Sequence, residues 1–471
     1  GLDMTAGITY TSFEDLNVLL GRRDDTFQIN GTHAGKTFVS AGPRLDRIDV
    51  ESTSGETDIL GEGGDDTINV NLRPAFPAVG DQIGNTIIRF EKGPGHKLFL
   101  RRITYQDHAG DTSNAMYNAV VRSNLHPLVA AFGIGAYSPN RKGSVIDVTS
   151  YINGDNDIFF FNTATRKSMK VGSLQSNMSY IKDINAFPMN VEIRTIKTYT
   201  QSNSRSTFTM ELNTSIVLLP EVPMQKRLAD KRVGYFTERY TDYDANPQGV
   251  KVVSFIKRWR LEPRPEDVER YKRGELVEPK KPIIYYIDPA TPKKWVPYLI
   301  KGVEDWQVAF ERAGFKNAIQ ARTAPKKGES VWSLEDARHS AIVYKPSSFA
   351  NAAGPIITDP RSGEILESHI NWYHNLMSIL RNWYLIQCGP LDKRAQEMTF
   401  DDALMGELIR SVAAHEVGHT LGLTHNFGAS STVPVEKLRD RAWLEANGHT
   451  PSIMDYARFN YVAQPEDSVG E

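Results

Sequence analysis

The chain has 471 residues, more than one hydrophobic core normally supports, so two or more domains are expected. Its 40% hydrophobic and 24% charged residues are typical of a globular protein and exclude the disordered and fibrous classes. With 55 basic against 57 acidic residues, the net charge of -2 creates no field that would attract nucleic acid or an anionic membrane. We therefore expect no nucleic-acid partner.

Cysteine content and hydropathy narrow the class further. Cys388 is the only cysteine, which excludes an intrachain disulfide and a Cys/His structural zinc site, and this mildly favours a bacterial source. No window approaches the roughly 18 to 20 apolar residues that span a bilayer, so no membrane span is expected. The first residues lack the features of a signal sequence, and any such sequence is expected to have been removed.

The first half of the chain predicts a β-rich region. Between residues 26 and 220, short β-type runs are broken by Gly, Asn and Asp clusters. In the run 206–219, Phe208, Met210 and Leu212 alternate with polar residues, which gives the strand one buried face. We predict an all-β, antiparallel domain over residues 1–228, a sandwich or open barrel, with few helices and no repeat of fixed period.

The second half changes character after a charged, Pro-containing stretch at residues 229–281, which is predicted to be a linker or crossover segment. Residues 282–471 then predict a mixed α/β domain, possibly truncated at its C-terminus. Its expected elements are a strand at 283–287, a helix at 293–312, strands at 318–322 and 341–344, a hairpin turning at 359–363, and a helix at 400–421 with Thr399 as its N-cap.

A metal-ligating pattern lies on the last of these helices. His415 and His419 are four residues apart, so both imidazoles lie on one helical face. Gly422 can adopt the positive φ that ends a helix, which lets the chain return His425 as a third ligand. Three neutral imidazoles leave the fourth position of a tetrahedral zinc open, as in catalytic sites. Glu416, next to the first ligand, is expected to be the general base and proton carrier.

Residues 415–425 resemble the extended zinc motif of the metzincin clan of peptidases. Downstream, the stretch 452–456 resembles the Met-containing turn that this clan places beneath the zinc. The resemblance implies that Met454 forms an apolar floor under the ligands. It also implies that Tyr456 ligates zinc or donates to the oxyanion, as the corresponding tyrosine does in astacin-like and serralysin-like members.

The resemblance covers residues 282–471, and the whole chain is similar to large bacterial zinc-dependent metalloproteases in which a β-rich region precedes the peptidase. It implies an exported endopeptidase with one catalytic Zn²⁺ that hydrolyses polypeptides by attack of a zinc-bound water, with Glu416 as general base. A strand at residues 352–359 is expected to rim the cleft and to pair with extended substrate. Because no thiol lies in the N-terminal half, a cysteine-switch form of latency is excluded.

Two other functions stay open on the sequence. The chain could be a binding protein in which the β-rich half recognises a glycan or protein and the metal is structural, or a hydrolase of a non-peptide amide. An intact Glu416 argues against the first, because a structural site has no use for a base. The N-terminal half is expected to act as a scaffold, a pro-region or a substrate-binding element.

Overall fold

The computed structural model describes residues 86–469, apart from 111, 139–142, 157, 162, 203–205, 247, 326–331 and 468, and also six short strands between residues 15 and 70. Residues 1–80 and 81–471 form two separate units, which are described in turn. Within the described residues, every helix is too short or too polar to cross a lipid bilayer.

The strands of the first unit pair in parallel. They are β1 (Asp15–Leu19), β2 (Thr26–Ile29), β3 (Lys36–Ser40), β4 (Arg47–Val50), β5 (Thr57–Leu60) and β6 (Thr67–Val70). The odd-numbered strands form one parallel sheet and the even-numbered strands another.

This alternate pairing is the pattern of a two-sheeted parallel β-helix. Successive strands of the first sheet begin at residues 15, 36 and 57, so the chain repeats about every 21 residues here. The predictions of antiparallel pairing and of no fixed repeat are therefore wrong for this segment. Each strand has only four or five residues, too few to show an alternating pattern by itself.

The first half of the second unit is mainly antiparallel β-structure, as predicted. Its strands are β7 (Ile87–Gly93), β8 (Lys97–Ile103), β9 (Asp107–His108), β10 (Leu128–Tyr137), β11 (Ser144–Ile146), β12 (Val171–Leu174), β13 (Tyr180–Ala186), β14 (Asn190–Gln201) and β15 (Thr207–Val217). Its helices are α1 (Ala115–Ser123), α2 (Thr149–Asn153) and α3 (Thr163–Ser168). The sheets run in the orders β11-β10-β8-β7 and β12-β14-β13, with β15 paired to β14. The β15 side chains alternate between exposed and half-buried positions along most of the strand, as the period of two predicts.

The segment 229–281, predicted to be a linker, is structured. It contains β16 (Thr237–Asp242), β17 (Lys251–Ile256) and α4 (Val268–Lys272). β16 pairs antiparallel to β17 and parallel to β9, so this segment completes a sheet with the upstream region. The division of the chain at residues 228 and 281 stays a prediction.

The second half of the second unit is a mixed α/β region. Its strands are β18 (Ile283–Ile287), β19 (Ile319–Thr323), β20 (Ser340–Lys345), β21 (Ala352–Ala353), β22 (Ile357–Asp359), β23 (Glu364–Glu367) and β24 (His369–Tyr373). Its helices are α5 (Val296–Glu304), α6 (Gln307–Arg312), α7 (Leu376–Cys388), α8 (Asp402–Thr420) and α9 (Arg441–Asn447).

Five of these strands form one sheet in the order β19-β18-β20-β24-β21, in which only the edge strand β21 is antiparallel to its neighbour. β22 and β23 form the predicted hairpin, which turns at Gly363 with φ +74°. The main hydrophobic core lies between this sheet and helices α5, α7 and α8. Gly302 of α5 lies so close to α8 that an added Cβ would be 2.8 Å from the Arg410 carbonyl oxygen.

Three details differ from the sequence predictions. The helix expected at 293–312 is divided into α5 and α6, and at the break the Trp306 indole N–H donates to the Ala414 carbonyl of α8 (2.8 Å). The N-cap of α8 is Asp401 rather than Thr399: its backbone is extended and its carboxylate accepts from the Leu404 N–H (2.7 Å). Helix α7, which was not predicted, contributes Leu380 and Tyr384 to the core.

Candidate metal centre

Helix α8 positions the first two predicted metal ligands. Its buried side chains Ile409, Ala413 and Val417 recur every four residues and face the core. His415 and His419 lie on the opposite, half-buried face, with ring centroids 4.8 Å apart. The spacing of four residues therefore brings the two imidazoles together as predicted.

The end of α8 delivers the third ligand. Gly422 has φ +99°, and its N–H donates to the His419 carbonyl (2.9 Å) while the Leu423 N–H donates to the Gly418 carbonyl (3.1 Å). This pair of hydrogen bonds is a Schellman motif, which ends the helix with a left-handed residue. The reversed chain places the His425 ring 4.7 Å from the His419 ring and 5.3 Å from the His415 ring.

The nitrogen atoms of the three histidines form a site of the right size for a metal ion. One ligand nitrogen from each residue lies within 4.8 Å of the other two. The Nε2 atoms of His419 and His425 are 3.2 Å apart. A tetrahedral zinc with Zn–N bonds of about 2.0 to 2.1 Å requires a nitrogen separation of roughly 3.3 Å, so this pair fits zinc. Among the described residues, this is the one such cluster of His, Cys, Asp or Glu.

Backbone carbonyls fix the tautomers of two ligands. His415 Nδ1 donates to the Ile453 carbonyl and His419 Nδ1 donates to the Leu423 carbonyl, both at 2.8 Å. A carbonyl oxygen can only accept, so the proton of each ring is on Nδ1 and the lone pair of Nε2 is free for a metal. Such outer hydrogen bonds orient histidine ligands in metal sites.

Burial keeps the imidazoles neutral. It lowers the pKa of His415 to about 4, and it also lowers the pKa values of His419 and His425. The other two rings add to the lowering for His415. Metal coordination needs the unprotonated imidazole, so at neutral pH the three rings are already in the required state.

Glu416 follows His415 on α8 and is buried, with 8% of its surface exposed. Burial raises the pKa of its carboxyl to about 7, and a hydrogen bond from the Gly354 N–H partly offsets this effect. Gly354 follows edge strand β21, and an added Cβ there would be 2.8 Å from the Glu416 carbonyl oxygen. The carboxylate thus lies between the ligand helix and the free edge of the sheet.

Met454, for which the resemblance implies a floor under the ligands, packs against the ligand helix. It is 3% exposed, and its thioether packs against Gly418, between the two helical histidines. Two hydrogen bonds join this turn to the metal centre. The Met454 carbonyl accepts from the Asn426 N–H (2.9 Å), and the preceding carbonyl, of Ile453, accepts from His415.

Tyr456 lies on the open side of the centre. Its ring centroid is 4.4 Å from that of His425 and 5.4 Å from that of His415, and half of the residue is exposed. The Phe427 ring stacks on the His425 ring, with a centroid distance of 5.2 Å. Burial and the nearby Glu416 carboxylate raise the pKa of the phenol, which keeps it protonated at neutral pH.

Residues far upstream hold the end of α8, and the sequence did not indicate them. Tyr235 and Leu423 form an antiparallel bridge, with the Phe236 N–H donating to the Gly422 carbonyl (2.7 Å). The Phe236 ring lies 5.9 Å from the His419 ring. The Trp259 indole N–H donates to the carbonyl of Thr420, the last residue of α8 (2.8 Å). The predicted linker therefore forms part of the metal centre.

Comparison with known families supports the assignment of the centre. Residues 397–471 match a family described as Met-zincin, and this segment contains all three histidines and the Met454 turn. The C-terminal segment is Met-zincin-like. Residues 80–264 match a domain of unknown function, DUF5117, which includes Phe236 and Trp259. No curated protein and no solved structure shows significant similarity to the chain.

The Met-zincin match supports a zinc metallopeptidase in general, and the three histidines can hold the metal that such an enzyme needs. His374, His369 and the cysteine, which lie upstream of the ligand helix, have structural surroundings. His374 pairs with the Tyr344 hydroxyl (2.7 Å), and His369 with Glu367 (3.0 Å). Cys388 is buried on α7, where burial raises its pKa to about 11, so it is an unreactive thiol.

Proposed function

We propose that the chain is an exported zinc endopeptidase with one catalytic ion held by His415, His419 and His425. The observation that carries this proposal is the convergence of the three imidazoles beside the buried Glu416, at the free edge of a sheet. A structural zinc site would have four protein ligands and no need for a buried carboxylate next to it.

A bound zinc ion would supply a Lewis acid that polarises the scissile carbonyl and acidifies water. Glu416 takes the proton of the attacking water while the oxygen–carbon bond forms. It then gives that proton to the leaving amine as the carbon–nitrogen bond breaks. Burial raises the pKa of this carboxyl, which makes it a better proton acceptor than an exposed glutamate. The Tyr456 hydroxyl, which is protonated, donates to the oxyanion that develops on the carbonyl oxygen.

The free edge of β21 gives the substrate a place to bind. Among the strands that the structure describes, β21 pairs only with β24, so the backbone groups of its other side can pair with an extended peptide. The prediction that residues 352–359 rim the cleft fits this arrangement, although the pairing strand is shorter, at Ala352–Ala353. Residues 357–359 turn away into the β22-β23 hairpin.

The decisive test is zinc content measured together with cleavage of a diverse peptide library, for the full chain and for Glu416→Gln. We expect about one zinc per chain in both proteins, and a fall in kcat of roughly 10²- to 10⁴-fold in the variant, because only the proton transfer is lost. A folded protein that takes up no zinc would contradict the metal site. One zinc per chain without cleavage in either protein would instead favour a binding protein with a structural metal. Cleavage of non-peptide amides but not of peptides would favour a hydrolase of a non-peptide amide.

A further inference from the structure

One exposed arginine near the metal centre has a free guanidinium. Arg458 follows the Met454 turn, and within the described residues its guanidinium has neither a hydrogen bond nor an ion pair. Other exposed arginines of the same segment are paired: Arg439 with Asp467 (2.7 Å) and Arg441 with Glu445 (2.8 Å). Arg458 therefore keeps its hydrogen-bond donors available.

Aromatic side chains hold this guanidinium in place. Its central carbon lies 3.7 Å from the centroid of the Trp383 ring of α7 and 5.5 Å from that of Tyr456. Such cation–π stacking leaves the N–H groups at the guanidinium edge free to bind a planar anion. The donor fork is thus oriented before any ligand arrives.

The backbone of Arg458 is also unusual. Its φ is +54°, a left-handed conformation that costs a side-chain-bearing residue energy, and its backbone hydrogen-bonds the buried His449 ring. Strained positions of this kind persist where the surrounding structure enforces them, and they concentrate at binding sites. In this conformation Arg458 stacks on Trp383.

The guanidinium is within reach of a bound substrate. The Tyr456 ring contacts both the metal centre and the guanidinium. Its centroid lies 4.4 Å from the His425 ring and 5.5 Å from the Arg458 guanidinium. An extended peptide advances roughly 3.4 Å per residue, so these two steps correspond to about three residues of substrate.

We propose that Arg458 is a specificity residue that binds a carboxylate of the substrate within about three residues of the scissile bond. Guanidinium and carboxylate groups match in shape and charge and form paired hydrogen bonds. The carboxylate is an Asp or Glu side chain or the C-terminal carboxylate of a peptide. This inference rests on the proposed peptidase activity.

The test compares zinc-loaded full-length wild type with Arg458→Gln, Arg458→Lys and the control Arg441→Gln. Peptides with amidated ends carry Asp or Glu, or the isosteric Asn or Gln, at each position near the cleavage site. A parallel set varies only the C-terminus, as free acid or amide. The readouts are kcat/KM and, for proteins that also carry Glu416→Gln, the Kd of the same peptides.

We expect wild type to favour the acid over its amide about tenfold at one position, a size typical of a hydrogen bond to a charged group. Arg458→Gln should remove this preference and leave the rate on the amide peptide within about threefold. Arg458→Lys should retain part of the preference, and Arg441→Gln should retain all of it. Which peptide set shows the effect identifies the source of the carboxylate.

A wild type without acid preference in both kcat/KM and Kd would overturn the inference. So would an equal loss of rate on acid and amide peptides in Arg458→Gln, because that result describes a purely structural residue. If no peptide is cleaved but acidic peptides bind and Arg458→Gln abolishes the difference in Kd, the proposed activity fails and the carboxylate site stands. If the peptides are neither cleaved nor bound, both the proposed peptidase activity and the proposed carboxylate site are overturned.

Discussion

Gly422 illustrates how one residue can control the metal centre. Its φ of +99° lies in the left-handed region, and an added Cβ would collide with the Lys257 carbonyl oxygen. The chain can reverse toward His425 only through this residue. Gly428, in the same loop, has no positive φ, and an added Cβ there would make only an ordinary contact of 3.8 Å with the Asn426 side chain.

We expect Gly422→Ala to lower the free energy of unfolding by at least about 1 to 2 kcal/mol, the cost of a left-handed L-residue, and to weaken zinc binding at least tenfold. Thermal unfolding and competition with a zinc chelator would measure the two effects. Gly428→Ala is the matched control and should change neither. Equal zinc affinities for both variants would show that the turn does not set the position of His425.

The residues that the sequence identified at this site depend on local spacing. His415, His419 and Gly422 lie on one continuous helix and turn, whose geometry follows from chain stereochemistry. Phe236 and Trp259 also contact the site, but they lie more than 150 residues upstream with no pattern to mark them. Their place depends on the tertiary fold, which a single sequence does not specify by local rules.

At the scale of elements, strand β14 contains a buried cation. Lys197 is 0% exposed, and its ammonium donates to the Gly154 carbonyl (2.7 Å). Desolvation lowers its pKa to about 8, although the Asp155 carboxylate partly offsets this effect. Asp155 also pairs with Arg166, so removal of the lysine does not leave that carboxylate alone.

A lowered pKa in the folded state means that protonated Lys197 disfavours folding. This penalty is fully present below pH 8 and disappears as the pH rises toward 10.5, the ordinary lysine value. The variant Lys197→Met removes this penalty. The free energy of unfolding of the variant minus that of wild type should therefore be about 2 to 3 kcal/mol higher at pH 7 than at pH 10. Urea unfolding at both pH values would measure this.

Lys182→Met is the control for this prediction, because Lys182 is exposed on the neighbouring strand β13. Its stability difference from wild type should stay nearly constant between pH 7 and pH 10. A Lys197→Met difference that is equally constant would mean that the buried ammonium is stabilised in full by its neighbours.

Elements were predicted best where side chains repeat with a clear period. Strands β15, β18 and β20 and helix α8 match their predicted positions to within two residues. Helix α7 was missed because its Trp, Tyr and Ile residues have weaker helix propensity and its apolar residues surround the whole helix. The short parallel strands of residues 15–70 were given the wrong pairing because pairing direction depends on contacts between distant turns of the chain.

At the scale of the whole molecule, the metal centre is shared between two parts of the chain. Residues 80–264 match the domain of unknown function, yet Gly234, Phe236 and Trp259 bond the end of helix α8. A second contact joins Arg258 to the β22-β23 hairpin through two backbone hydrogen bonds (both 2.9 Å). The upstream region therefore supplies hydrogen bonds that hold the end of the ligand helix and the hairpin beside it.

We expect a fragment of residues 282–471 to bind zinc at least tenfold more weakly than the full chain and to unfold at a lower temperature, because it loses these contacts. A fragment of residues 81–471 keeps every contact named above and serves as the control. Chelator competition and thermal unfolding of both would measure the effect. Full zinc affinity and activity in the 282–471 fragment would show that the upstream region is dispensable.

The bridge between Tyr235 and Leu423 joins two parts of the chain that are made at different times during protein synthesis. A ribosome makes Tyr235 and its neighbours well before it makes the histidines. These upstream residues can therefore fold while the ligand helix is still absent. The centre can then assemble only after the segment with the three histidines and the Met454 turn has been made and has docked. Acquisition of the metal would thus follow synthesis of residue 425, and a chain that stops before this residue would lack the third ligand.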